Sequence, residues 1–287
     1  MTTREVVNMR MQPQPWPDSW KETAEQWLVY LTACGRAATT IETRKRKLAG
    51  FARWVEKPPE KVTRTDCEAW MGREHLAAET RKGIRATLTG YFEWMHDHGF
   101  IDEDPAAKLP HIAGSRPHPH PCPDAGIRMA MEGMSERDAL MVRLGAELAL
   151  RRSEIAQIRG TDVMTDVLGE RCLIVNGKGN KQRLIPLTSE LADLITKAGD
   201  GWLFPSRNDG GKSHIRPERV GKIISRRLPE GYSTHSLRHR AATRAYVQTR
   251  DLLAVCALLG HTSVATTQRY VAMPPEHLRG MVAALAV

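Results

Sequence analysis

The sequence predicts a mainly α-helical chain with a small antiparallel β-sheet, split into an N-terminal helical bundle and a C-terminal α+β domain. Three observations carry that prediction. Between residues 18 and 98 run four amphipathic segments joined by short loops, enough for a small bundle. Residues 116–124 read RPHPHPCPD, with proline at 117, 119, 121 and 123, and alternate prolines hold a backbone extended as a semi-rigid linker. Beyond it, helical patterns flank CLIVNGKGNKQRLIPL at 172–187, which reads as two short strands around a Gly-rich turn. A chain of 287 residues is ample for two cores.

Taken in order, residues 1–17 mix polar residues with three prolines and read as a loose lead-in. Asp18 or Ser19 can cap a first helix that carries Trp20, Ala24, Trp27, Leu28 and Leu31 and ends near Gly35. A second begins after Thr39 or Thr40 and sets Ile41, Leu48, Phe51, Ala52 and Val55 on one side. Thr65 and Glu68 have capping-box spacing ahead of Trp70 and Met71. The fourth helix, from about Ala78 to His98, places Ile84, Leu88, Tyr91, Phe92 and Met95 at helical intervals, with Gly99 as its stop. The expected domains are therefore 18–112 and 125–273, with 113–124 between them and a short apolar tail, 274–287, after them.

In the second domain Ser135 can cap a helix rich in Ala, Leu and Met that leads into AELALRRSEIAQIRGTDV. After the hairpin come a helix from about Ser189 to Lys197, the apolar WLFP at 202–205, and a basic helix near Arg216 to Arg227. The final stretch runs THSLRHRAATRAY and then LLGHTSVATTQRYV, with Gly260 as a helix C-terminus and a new helical pattern near Ser263.

Charge narrows the partners. The formal net charge is +9 and the isoelectric point about 9.5, which suits a polyanion, nucleic acid above all. The bundle concentrates cations in two clusters, Arg44-Lys45-Arg46-Lys47 and Arg81, Lys82 and Arg85; each alone could be a solvated face, and together they suit a phosphate backbone. Five scattered cysteines form no C-x-x-C pair, no disulfide framework is implied, and the expected compartment is the reducing cytoplasm. The longest apolar run, Leu252 to Leu259, is far too short for a bilayer, so no membrane partner is expected. His118, His120 and Cys122 stand at i, i+2 spacing in the proline strip, which matches no usual zinc pattern; no metal is assigned. The Gly-rich turn lacks G-x-x-x-x-G-K-[ST], so no nucleotide cofactor is implied either.

On a helix, His235 and Arg238 share a face, so an imidazole and a planar cation can converge on one phosphate diester. Arg151 and Glu154 also lie three apart, and spacing alone fits a structural ion pair as well as a functional one.

The ordered set H-x-x-R at His235 and Arg238, L-G-H ending at His261, and a tyrosine at Tyr270 resembles the C-terminal signature of the tyrosine recombinases and phage integrases. L-R-x-S-E-[IL] matches the family's first catalytic arginine at Arg151, with Glu154 on its acidic supporting position; G-K-G in the hairpin matches the catalytic lysine at Lys178 rather than Lys181. The resemblance implies an N-terminal SAM-like core-binding domain, closed by IDEDPAAKLP at 101–110, and a catalytic domain of the DNA breaking-rejoining type. It implies Tyr270 as nucleophile, Arg151, Lys178, His235, Arg238 and His261 as its catalytic partners, His239 in support, and a 3′-phosphotyrosyl intermediate reached without metal, ATP or other cofactor. Double-stranded DNA, a homotetramer on it and an accessory directionality factor are the implied partners, the tail docking on a neighbouring protomer. The length fits a compact form without an arm-binding domain. Ala149 departs from the pattern, standing where the family often has glycine. Phage or mobile-element integration is the main expectation and resolution of chromosome or plasmid dimers the alternative; a type IB topoisomerase-like enzyme and a silent DNA-binding regulator also remain open.

Overall fold

A ring of aromatic side chains organises the first of two compact units, 1–115 and 116–287, in the computed structural model, which describes residues 16–113, 119–177, 181–261, 263–268 and 271. Helices α1 (Asp18–Ala33), α2 (Ala38–Val55), α3 (Arg64–Gly72) and α4 (Ala78–Asp97) turn Trp20, Trp27, Phe51, Tyr91 and Phe92 inward until none is exposed. Trp20 stacks on Tyr91 at 5.5 Å between ring centroids. Burial of each large ring contributes about 1.5–3 kcal/mol, but an indole or phenol must also bond its polar atom. Trp20 Nε1 donates to Lys57 O at 2.8 Å, Trp27 Nε1 to Gly90 O at 3.0 Å, and Tyr91 pairs with Thr23 at 2.7 Å. Gly99, at φ +73, ends α4 in a left-handed conformation that glycine adopts freely. Ala106 and Leu109, within 101–110, complete this core.

Helix ends differ from the sequence expectation in detail. Pro17 precedes α1 with no side-chain cap, so Asp18 sits in the first turn, where its charge meets the helix dipole. Helix α2 opens at Ala38, ahead of Thr39 and Thr40. The capping box of α3 is not Thr65 with Glu68 but Thr63 with Asp66: Thr63 Oγ1 accepts from the Asp66 amide at 3.3 Å and Asp66 Oδ2 from the Thr63 amide at 2.9 Å. A shorter Asp closes the box where Glu was sought.

The second unit packs helices around a three-stranded antiparallel sheet of order β1-β2-β3. Strands β2 (Arg171–Asn176) and β3 (Gln182–Pro186) are the expected pair, in register Leu173↔Ile185 and Val175↔Arg183. Strand β1 (Val163–Thr165) was not expected; three residues carry no period of their own, and pairing Val163 with Leu173 defines it. Around the sheet lie α5 (Asp124–Met131), α6 (Glu136–Glu147), α7 (Arg152–Ala156), α8 (Ser189–Thr196), α9 (Pro217–Ser225), α10 (Thr234–Thr249), α11 (Leu252–Leu259) and α12 (Val264–Gln268). Ser135 caps α6 as expected, accepting from the Asp138 amide at 3.2 Å. Leu144, Leu150, Ile155, Phe204 and Leu237 fill the common core.

The described half of the proline strip, 119–123, lies against α10. The His120 amide donates to His239 Nδ1 at 2.8 Å, the Cys122 amide to Ser236 O at 3.2 Å, and the His120 ring stacks on Tyr232 at 4.5 Å. His118 lies outside the described residues, as do Lys178, Tyr270 and the tail 274–287.

Candidate active site

The loop between α6 and α7 and the first turn of α10 bring the two signature arginines to one place. Ala149 has φ +56, a left-handed backbone that L side chains resist by about 1–2 kcal/mol, and its carbonyl accepts from Arg238 Nη1. Arg151 follows at the N-terminus of α7. Its amide donates to Glu154 Oε2 at 2.9 Å and its Nη1 to Glu154 Oε1 at 2.7 Å, so the three-residue spacing is a real ion pair. Ser233 caps α10 by accepting from the His235 amide at 3.2 Å, which starts the helix where His235 and Arg238 face together.

Arg151, Ser153, Glu218, Lys222, His235 and Arg238 are among the residues lining one cleft of about 650 Å³. Had the two arginines entered separate clefts, the signature would have had no common target. The arginines differ in setting: the Arg151 side chain is 33% exposed, whereas that of Arg238 is 1% exposed. Arg238 Nη2 donates to Leu259 O and, at 3.2 Å, to His261 Nε2. Gly260, at φ +63, ends α11 so that its last carbonyl and His261 both turn toward that guanidinium.

Three guanidiniums surround one carboxylate. Glu154, 5% exposed, takes both oxygens' bonds from Arg151 and Arg183, and lies 3.9 Å from Arg238 Nη1. Burial alone would raise its carboxyl; hydrogen bonds from Arg183 and the Arg151 amide, with both positive charges, outweigh that and hold it below the usual range. With Glu154 ionised, the surplus is positive and the site seeks an anion.

Burial, helped by the same positive charge, keeps the histidines neutral. Burial, then Arg238 and Arg151, lower His261 to about 4, and the same causes lower His235. Burial, then His235, His120 and Arg238, lower His239 to about 4. A guanidinium offers only N–H, so His261 Nε2 accepts from Arg238 and the ring proton sits on Nδ1, donated to Thr267 Oγ1 at 2.9 Å. Through this bond His261 helps to orient Arg238. His239 is likewise an acceptor at Nδ1, and its ring lies 4.5 Å from that of His235.

Sequence reasoning missed Arg183. Its signal is strand phase: Arg183 and Ile185 share the inward face of β3 while Leu184 is 52% exposed, so an arginine stands where alternation calls for an apolar side chain.

The cations of the first unit divide into two kinds. Arg44 and Lys47 line a groove of about 340 Å³ between α2 and α4. Burial and then Arg46 and Arg44 hold Lys47 below the usual lysine value, the mark of a crowded cationic surface. Lys45 and Arg46 are exposed on the same helix. Arg44 also donates to Ala86 O across that groove, and Arg81 and Arg85 are held wholly by backbone: Arg81 donates to Met71 O and Arg73 O at 3.0 and 3.1 Å, and Arg85 to Leu109 O at 3.1 Å. Lys82 pairs with Glu79 at 2.7 Å. The second cluster thus has a structural task that its sequence does not announce.

Solved recombinases share this fold. A lambda integrase dimer bound to a COC′ core site superposes with TM-score 0.70 at 18% identity, over 87% of this chain and 76% of that one. The XerH site-specific recombinase in a post-cleavage complex with difH does so with TM-score 0.67 at 19% identity, over 92% and 84%. In sequence, the chain is 28% identical to tyrosine recombinase XerC of Xanthomonas campestris pv. campestris strain B100, covering 92% of this chain and 88% of the relative. It is also 28% identical to XerD of Caulobacter vibrioides, covering 74% and 76%. The phage integrase family profile matches residues 127–277, more than half of the chain. The chain belongs to that family, the tyrosine recombinases, enzymes that transfer DNA strands. Among the described residues no helix is long and apolar enough to cross a membrane.

Proposed function

We propose that the second unit cleaves and rejoins double-stranded DNA at specific sites through a covalent tyrosyl intermediate. One observation carries the reading: Arg151 and Arg238 line one cleft, and the buried carboxylate that Arg151 pairs with, Glu154, is outnumbered by the guanidiniums around it. An anionic diester repels nucleophiles, and fixed cations on its two non-bridging oxygens remove that repulsion. Arg151 and Arg238 take that task, with His235 adding a neutral hydrogen-bonding group at the cleft wall. Tyr270 passes its phenol proton to a neighbouring neutral histidine or to water as its Oη forms the new P–O bond, the bond to the 5′ oxygen breaks, and Lys178 gives that oxygen its proton. The 3′-phosphotyrosyl link stores the bond energy, so a 5′ hydroxyl from a second duplex reverses the step with no ATP. Loss of either arginine would slow cleavage by about 10² to 10³ or more.

The first unit is the core-binding domain, its α2–α4 groove tracking phosphates, and 125–273 the catalytic domain. A tetramer assembles on two sites, as in the solved lambda integrase tetramer on a Holliday junction, with the tail 274–287 docking between protomers. The reaction runs in the cytoplasm, and an accessory factor sets its direction. Integration and excision of a phage or mobile element is the use we infer. Resolution of chromosome or plasmid dimers is the second reading, favoured by the XerC and XerD relatives.

Covalent adducts recovered from cells give the target sequence, and a nicked suicide duplex of that sequence gives the test. Wild type should become linked to the duplex, while Tyr270→Phe should bind it without linkage. Adducts with Tyr270→Phe would refute the nucleophile, and their absence with wild type would leave the regulator reading. Two labelled sites relaxed but never exchanged would favour the topoisomerase.

A further inference from the structure

A third guanidinium in the site has no part in the reaction just described. Arg183 stands on β3 opposite Val175, its side chain 10% exposed. Nη1 donates to Glu154 Oε1 at 3.0 Å, Nη2 to Glu154 Oε2 at 2.9 Å, and Nε to Leu258 O at 2.9 Å. Arg151 supplies the carboxylate's other two donors, its Nη1 and its amide. A carboxylate has about four lone-pair directions, so these four bonds fill it. Gly260 closes over the same side chain: a Cβ there would stand 3.0 Å from Arg183 Cδ and 3.1 Å from Nη1.

Three elements meet on this one side chain. Strand β3 follows Lys178 in the chain and pairs with β2; Arg151 immediately precedes α7; the end of α11 delivers Leu259, whose carbonyl holds Arg238, and His261. A buried ion pair adds little to stability over well-packed apolar side chains, so stability is a weak reason for an arginine here. Its fork explains it better, because only a planar guanidinium can bond both oxygens of one acid and a carbonyl at once.

We propose that Arg183 is a positioning residue for strand cleavage: by filling Glu154 and tying β3 to the end of α11, it sets Arg151, the Lys178 hairpin and His261 in mutual register. The proposal rests on the catalytic reading of Arg151 and Lys178. It has a chemical consequence beyond rigidity. Without Arg183, a buried carboxylate loses half of its donors, Glu154 takes up a proton at higher pH, and Arg151 loses its counter-charge as the medium is acidified.

Single-turnover adduct formation on the nicked duplex recovered from wild-type adducts, followed from pH 5.5 to 8.5, tests this. Arg183→Gln should cleave about 10²-fold more slowly at neutral pH, the usual cost of a small misplacement, with DNA affinity within about 3-fold of wild type. Its rate should fall further toward acid more steeply than that of wild type. Arg183→Lys, which keeps the charge but not the fork, should recover little. The pair Glu154→Met with Arg183→Met removes both members of the buried pair at once and guards against misfolding; it should melt nearer to wild type than Arg183→Gln and still cleave slowly. Cleavage by Arg183→Gln within about 3-fold of wild type, DNA binding lost in step with cleavage, or wild-type rates from the double variant would each overturn the proposal. No adduct from wild type would overturn the catalytic reading itself, and this inference with it.

Discussion

Replacing Arg238 with alanine should destabilise the second unit as well as slow cleavage. The Arg238 side chain is 1% exposed and its two terminal nitrogens serve the carbonyls of Ala149 and Leu259 and the ring of His261. Each buried carbonyl deprived of its donor costs about 1–3 kcal/mol, so two cost about 2–6 kcal/mol. Removing a desolvated cation beside Arg151 returns part of that. Arg151→Ala removes only one side-chain bond, because the amide at 151 and both Arg183 nitrogens stay on Glu154. Its loss is one charge-assisted bond, about 1.5–3 kcal/mol, from a side chain that water already reaches. For a domain of this size each kcal/mol moves the melting temperature by about 2–4 °C. Scanning calorimetry of the full chain should therefore show Arg238→Ala melting at least about 5 °C below wild type, and further below it than Arg151→Ala. A shift under about 2 °C, or the reverse order, would refute the view that this arginine holds the loop and the end of α11 together.

Two further outcomes are expected. Arg46 is exposed on α2, so Arg46→Gln should lower the slope of log binding constant against log salt by about 0.9, one phosphate contact; titration at several salt concentrations checks it, and an unchanged slope would return Arg46 to a solvated face. His239 sits at about 4 against an ordinary 6.5, so between those values the unfolded chain holds more protons than the folded one. Stability is then lost as pH falls from about 6.5 toward about 4. His239→Gln should flatten that part of the melting profile, and an equally steep fall would show that this ring is not the group responsible.

Long, strongly periodic elements were readable in the sequence because local and tertiary forces agree there. Leu88, Tyr91, Phe92 and Met95 announce α4, and all four are buried in it. Pairwise spacing also sufficed for Arg151 with Glu154 and His235 with Arg238. What stayed hidden depends on partners distant in sequence. Strand β1 exists because β2 is there to pair with it. Arg85 looks like a DNA contact until Leu109 O is found at its guanidinium, and the partner of His239 is hidden until the His120 amide reaches it from another segment. Arg183 shows its oddity only when the hairpin is given a register. Ala149 stands where the family often has glycine, and its φ of +56 shows the glycine-like conformation kept by an alanine.

That single torsion has reach. The left-handed turn at Ala149 aims one carbonyl inward at Arg238 and, two residues on, releases the chain into α7 with Arg151 at its head. The lodging of one cation and the departure point of the other are thereby geared to the same bond. Neither arginine can be resited by evolution or design without renegotiating the kink they share.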